Sequence, residues 1–449
     1  MRRQGVLQDA ARGLVLALFV LSPLTLGRMA DFEPLVLLLV ASAATVLWLL
    51  GGGRLGPSRP AGFDYLLLSG AALCALVSIR SVYVYDSLLG LSLLYGGLLT
   101  FLLVRECFAD ARWRRRAWWC VVAGGVAAGL WGAREYMQNA VVMGDSSWRA
   151  FGPFYNPNCL GGYMALLIPI PIALALGAQT RGATETSSPA AASPDRRAAK
   201  SSKSKPPAAE DLAPPRYPEI AGATSVLVLG LGLLCTGSKG AMLSGLLGAL
   251  LFATCGAPPG SVMRRRLRIG AMVAVGLCVL AALTFPPIRN RIVGAFSSQQ
   301  HSGSFRVYTW QATLQMVAAR PLTGFGPGTY AHAFPRYAKA GFTRQAHQTP
   351  LQFGVEYGVP AALMLLVGIG WAMAGALRGG SGLRHSDRLL AAAAVGGLLA
   401  LWAHNLVDYT WYLAGINGVS WALLGLALAP GAEAERLEPR RRAARAVPM

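Results

Sequence analysis

The feature that most constrains this chain is repetition. Apolar stretches of about 18–20 residues recur from end to end, each long enough as a helix to cross a bilayer. Twelve are legible, at about 11–27, 33–51, 63–79, 87–104, 117–135, 159–178, 219–236, 239–255, 268–285, 351–376, 389–405 and 412–430. The bilayer core offers no water to backbone N–H and C=O groups, so such segments must be helices. The sequence therefore predicts an all-α, polytopic integral membrane protein of about twelve transmembrane helices. Composition agrees. Of 449 residues, 54% are hydrophobic and only 14% charged, against roughly a quarter charged in soluble domains.

Lysine and arginine set the orientation. With the N-terminus in the cytoplasm, the inner segments hold 29 of the 41 basic residues, and every inner loop is locally basic. This positive-inside pattern predicts that both termini are cytoplasmic. It also accounts for the formal charge of +21. Nucleic-acid binding is excluded, because interleaved aromatic and basic motifs are missing. Arg2, Arg3 and Arg12 precede the first apolar run, which reads as a retained signal-anchor helix. The seven cysteines are scattered with no C-x-x-C pair. They read as small buried hydrophobes, neither a disulfide framework nor a metal site.

Two loops interrupt the pattern. Residues 179–218 are rich in Ala, Ser, Pro and Lys and read as a disordered cytoplasmic linker. Residues 286–349, up to the next span at about 350, form a large periplasmic loop bearing short helices. The loop carries Arg289, Arg291, Arg306, Arg320, Arg336, Lys339 and Arg344, with no Asp or Glu. The outer side normally holds few basic residues, so this cluster needs another reason. An anionic ligand such as a phosphate-bearing lipid is the simplest.

Within the loop, Ser304 is placed to cap a helix running to about Ala319, ended by Arg320-Pro321. Arg306 and Trp310 share a face of that helix, which would let the guanidinium lie over the indole. The helix is expected to lie at the membrane surface. Gly324-Phe325-Gly326-Pro327-Gly328 then makes a tight turn that brings backbone close to a neighbour. It lacks the Gly-Lys-Ser/Thr of a phosphate loop. Ser238 and Lys239 are adjacent, the wrong spacing for a Ser-x-x-Lys pair, and no His/Cys pattern suits zinc.

Taken together, these stretches resemble the O-antigen ligase and polymerase superfamily. Arg306 and Trp310 precede Pro321-Leu322-Thr323-Gly324-Phe325-Gly326-Pro327-Gly328, similar to the family's "Pro-Leu-x-Gly-x-Gly-x-Gly" turn. His347-Gln348, Leu351, Glu356 and Gly358 resemble a "His-Asn-x-x-Leu … Glu-x-Gly" stretch. Gly152-Pro153-Phe154, with Asn156-Pro157-Asn158, leads into Gly161 and Gly162 as in family members. Gly237-Ser238-Lys239-Gly240 is similar to a "Gly-Ser-Arg-Gly" hairpin, and His404-Asn405-Leu406-Val407-Asp408 to "His-Ser-Leu-x-Asp". The similarity spans roughly 150–430. Gln348 replaces the usual Asn, and Lys239 replaces Arg, which reduces a bidentate phosphate contact to a point charge. The chain then divides into N-terminal helices (1–135), the ligase-related region (136–430) and a cytoplasmic tail (431–449).

The resemblance implies a glycosyltransferase of the bacterial inner membrane. It would move a glycan from an undecaprenyl-diphosphate carrier to an acceptor hydroxyl at the outer face, in lipopolysaccharide or surface-polysaccharide biosynthesis. The partners implied are the carrier-linked donor, a lipid-core or glycan acceptor and membrane lipids. No metal and no cofactor are implied. The residues fit that chemistry. A departing diphosphate needs fixed cations, and arginine can pair with phosphate oxygens bidentately. Arg306 is the first candidate, followed by Arg344, Arg289 and Lys239. The bland alternative is that these side chains anchor the loop to lipid phosphates.

His347 is the candidate base for the acceptor hydroxyl, because histidine takes protons near neutral pH. A nearby cation would keep it neutral. Glu356, nine residues on, is costly at its depth and would pair with an arginine. His404 and Asp408, four apart, would share one helix face, with the carboxylate fixing the imidazole tautomer. Asn156 and Asn158 would bind sugar hydroxyls or shape a turn, and Gly326 and Gly328 would support the site. A polysaccharide polymerase using the same donor, a protein-glycosylating relative and a small-anion transporter such as one for bicarbonate are the alternatives.

Overall fold

The computed structural model describes residues 2–56, 62–186, 217–257, 301–339, 341–379 and 383–445, and most of 260–276. Every regular element is helical, with no strand among the described residues. The helices are α1 (Arg2–Thr25), α2 (Phe32–Leu50), α3 (Gly62–Ser78), α4 (Val84–Cys107), α5 (Ala111–Tyr136), α6 (Pro157–Leu167), α7 (Pro169–Thr186), α8 (Tyr217–Thr236), α9 (Lys239–Cys255), α10 (His301–Ala319), α11 (Tyr330–Ala333), α12 (Thr349–Arg378), α13 (His385–His404) and α14 (Ala414–Arg445). Eight spans are long and apolar enough to cross a membrane, α6 and α7 together forming one; α3 and α9 are shorter apolar helices. The protein is a multi-pass helical membrane protein. Eleven of the twelve expected spans fall on described helices. The ninth, at about 268–285, lies mostly outside the described residues.

Two spans are broken. The span at 159–178 is two helices joined at Ile168, because Pro169 and Pro171 lack the N–H that would continue the ladder. In α12 the break is at Gly358, with φ of 77° and ψ of 158°. The 321–323 segment fills it: Val359 N–H donates to Pro321 O at 2.7 Å. Irregular backbone inside a membrane bundle survives where protein covers it. The expected linker is helical as far as Thr186, as the end of α7; 187–216 lies outside the described residues.

The core is built on small residues. α13 runs through buried Ala391, Ala392, Ala393 and Ala394 to Gly396 and Gly397. A Cβ at Gly397 would collide with the Leu166 carbonyl, and one at Gly248 with the Gly396 carbonyl. Backbones approaching this closely gain the van der Waals contact that drives helix association in lipid. Leu39, Leu76, Leu227 and Leu243 point outward, as lipid-facing residues should.

Contacts sort the loops into two ends. At one end Gln8 Nε2 donates to Gly51 O at 2.9 Å, and Gly62 abuts Trp371. Here Arg105 and Arg114, expected as loop charges, are buried against acids. Arg105 Nη1 reaches both Asp64 oxygens, at 2.7 and 2.9 Å, and Arg114 Nη2 reaches Asp387 at 3.3 Å. At the other end Tyr155 N–H donates to Gly27 O at 2.9 Å, and Val82 N–H to Phe325 O at 2.9 Å. That second end carries the loop of 301–348.

Candidate active site

The loop is built around α10. The helix ends at Ala319 as expected but begins at His301, three residues before Ser304. Buried Thr309, Ala312, Thr313 and Met316 form its inward face, at the spacing of three to four that a helix stripe requires. Val307, Tyr308 and Leu314 face outward. Thr313 Oγ1 pairs with Tyr330 OH at 2.7 Å. Trp310 does not receive the Arg306 guanidinium. Its Nε1–H donates to Ala346 O at 3.1 Å. An indole N–H that enters protein needs an acceptor, and Arg306 has a carboxylate to face instead.

The glycine turn explains its own composition. Gly324, Gly326 and Gly328 all have positive φ, at 62°, 114° and 71°, a region that side chains avoid. A Cβ on Gly326 would strike Ser81, and one on Gly328 would crowd the Asp86 carbonyl at 2.5 Å. Phe325 N–H donates to Val355 O at 2.8 Å and Gly326 N–H to Glu356 O at 3.0 Å. The neighbour that the turn approaches is thus the start of α4 and the first half of α12. Gly326 and Gly328 let the loop close onto these two helices.

Glu356 belongs to the same joint. It is buried, and it accepts from Gln352 Nε2 at 3.0 Å and from Tyr412 OH at 3.1 Å, with the Gly328 and Tyr330 backbone facing it. The expected arginine partner is absent among the described residues. A carboxylate at this depth can be satisfied by neutral donors from three segments, and here that holds the loop on the bundle.

His347 ends the loop. Its φ is 51°, a left-handed conformation more accessible to His than to most side chains. Gln348 Oε1 then caps α12 by accepting from Leu351 N–H at 2.9 Å, so the departure from Asn keeps a cap. Thr349 N–H and Oγ1–H donate to Asn405 O at 2.9 Å and Oδ1 at 2.7 Å. They fasten the start of α12 to the end of α13. The His347 ring stands edge-on to Tyr409, centroids 5.0 Å apart. Burial pushes its pKa below the ordinary histidine value; the Arg306 charge pushes the same way, and Asp408 opposes. Burial also pushes the Tyr409 phenol up, which keeps that neighbour neutral.

Asp408 is the hub. It is only 1% exposed. Oδ2 accepts from Asn158 Nδ2 at 2.9 Å and Oδ1 from Tyr409 N–H at 2.8 Å. Arg306 Nη2 stands 4.0 Å away and His404 Nε2 3.9 Å away. The expected shared helix face does not exist, because α13 stops at His404 and Asp408 lies in the turn beyond. Nor does the carboxylate hydrogen-bond the imidazole. His404 Nε2 instead lies 3.2 Å from the backbone oxygen of Asn158.

The fold thus brings Arg306, His347, His404, Asp408 and Asn158 together. Lys239 opens α9 beside them, after the Ser238 cap, and Gly240 lies against the His404 ring. Arg344 is exposed on the loop surface, and Arg289 lies outside the described residues. One residue of this cluster was missed by sequence reasoning. Arg149 donates from Nη2 to Asn158 Oδ1 at 2.6 Å and from Nε to Thr236 O at 2.7 Å. Its only sequence signal is a lone arginine in an outer loop, where basic residues are scarce.

Fold and cluster define a multi-pass helical membrane protein with a charged, partly buried site at one end of its bundle. Residues 224–366 match the family described as O-antigen ligase. The match covers 143 of the 449 residues, and the family it names is what this stretch is similar to. The matched stretch contains Lys239, Arg306, Arg344, His347 and Glu356; Arg149, Asn158, His404 and Asp408 lie outside it. No curated protein matches the chain.

Proposed function

We propose that this protein transfers a glycan from an undecaprenyl-diphosphate carrier to an acceptor hydroxyl at the outer face of the bacterial inner membrane. The observation that carries the reading is the meeting of Arg306 and His347 at Asp408. One supplies a fixed cation and the other a neutral imidazole, at the same end of the bundle.

In this mechanism Arg306, with Lys239 nearby, binds the diphosphate and stabilises the charge that develops as the sugar–phosphate bond breaks. His347 accepts the proton of the attacking hydroxyl, a role open to it because its lowered pKa leaves it unprotonated near neutral pH. Asp408 supports the imidazolium formed in that step. The broken bond is the one between the anomeric carbon and the diphosphate oxygen; the new bond joins that carbon to the acceptor oxygen. The site end of the bundle is periplasmic in this reading, because the opposite end holds the Arg-rich loops and the termini.

The test is transfer by the purified protein from a synthetic polyprenyl-diphosphate oligosaccharide. A lipid core and a second donor are offered in parallel, with a chelator present. Product on the core makes it a ligase, and a ladder on the carrier makes it a polymerase. Absence of both from folded protein overturns the reading.

A further inference from the structure

We propose that Arg149 is a positioning residue that orients the Asn158 amide, and through it Asp408, for the transfer reaction. The inference rests on the glycosyl-transfer reading above for its kinetic consequence, but not for its geometry.

The argument is one of donors and acceptors. A guanidinium has only donors, and an ionised carboxylate only acceptors. Asn158 stands between them, with Oδ1 2.6 Å from Arg149 Nη2 and Nδ2 2.9 Å from Asp408 Oδ2. With Arg149 in place, the amide can face only one way, and its NH2 must point at Asp408. Without Arg149, only the bond to Asp408 holds the amide, and its oxygen end loses the donor that fixes it.

Asn158 also touches His404, but through its backbone, which the orientation of the side-chain amide does not set. Asn158 O lies 3.2 Å from His404 Nε2. A carbonyl can only accept, so Nε2 carries the proton and Nδ1 is left as the unprotonated nitrogen. His404 Nδ1 is buried, with no hydrogen-bond partner among the described residues. Arg149 fastens this arrangement to the α8–α9 hairpin through Thr236 O at 2.7 Å. It therefore joins three chain segments around Asp408.

A direct role in holding diphosphate is the competing use of an arginine here, and kinetics separate the two. A positioning role predicts that Arg149→Ala lowers kcat about 10-fold or more with the donor KM little changed. Arg149→Lys should recover little of the loss, since one ammonium cannot replace the fork that spans Asn158 and Thr236. In an Asn158→Ala background, Arg149→Ala should cost nothing further. A raised donor KM rescued by lysine would overturn the proposal, as would fully additive losses.

A second measurement does not depend on activity. Nitrogen-15 NMR of asparagine-labelled protein in nanodiscs should show one ordered Asn158 side-chain amide in the native chain and a shifted or broadened one in Arg149→Ala. An unchanged amide signal in a folded variant overturns the proposal. Protein that shows the expected amide change but whose native form performs no transfer defeats the functional reading alone.

Discussion

Arg306 Nη2 stands 4.0 Å from Asp408 Oδ2, near enough for attraction and too far for a hydrogen bond. The carboxylate is held by Asn158 and by the Tyr409 backbone and cannot follow the guanidinium. The Arg306 side chain is 34% exposed and, among the described residues, has its donors available to an incoming anion. Arg306→Ala should therefore lower kcat/KM by about 10²–10³, with Arg306→Lys recovering part. Steady-state transfer in nanodiscs reads both, and an unchanged rate would remove Arg306 from the reaction.

His347→Ala should lower kcat by about 10²–10⁴, the usual worth of a general base. The pH dependence has a definite sign. A base works unprotonated, so activity falls as pH drops through its pKa. Because that pKa is depressed, the acid limb should lie below the ordinary histidine value of about 6.5. Arg306→Gln removes a depressing charge and should move the limb up. Asp408→Asn removes the raising one and should move it down. A limb that stays in place in both variants would assign it to another group.

Glu356 should matter to stability before it matters to chemistry. Glu356→Ala removes one acceptor each from Gln352 and Tyr412, which keep Gln345 and Tyr357, so each lost bond is worth about 0.5–1.5 kcal/mol. Glu356→Gln keeps an acceptor and should cost less. Thermal unfolding in detergent tests the order. Loss of transfer in a fully stable Glu356→Gln would instead give the carboxylate a chemical role.

Gly358→Ala should be among the most damaging small changes. At φ of 77° a side chain costs about 1–2 kcal/mol before any clash, and the new Cβ would meet the Leu322 carbonyl. That backbone cannot retreat, because it fills the break in α12. A midpoint of unfolding close to that of the native chain would contradict this account.

Asp64→Asn probes the opposite end. It removes the nearer of the two carboxylates beside buried Arg105, a loss of up to about 3–5 kcal/mol. Glu106, 3.7 Å from Arg105 Nε, remains to compensate in part. The folded fraction should keep native kcat, since the pair is remote from the Arg306 cluster. A changed kcat in stable protein would reveal coupling between the two ends.

The sequence by itself determined the helical membrane architecture, nearly all the described spans and the position of the basic loop. Hydrophobicity and charge are local properties that add along a chain, so they survive without a fold. Arg306 and His347 were legible for the same reason, each within a short motif. The tertiary structure alone decided what they face. Asn158 and Asp408 are 250 residues apart, and no pattern in either stretch states that they touch. Four elements meeting at one end of the bundle replaced three local expectations: the Arg306–Trp310 stack, the Glu356–Arg pair and the His404–Asp408 helix face. In each case a group took the partner that packing brought nearest, because a buried polar atom must be satisfied wherever the fold puts it.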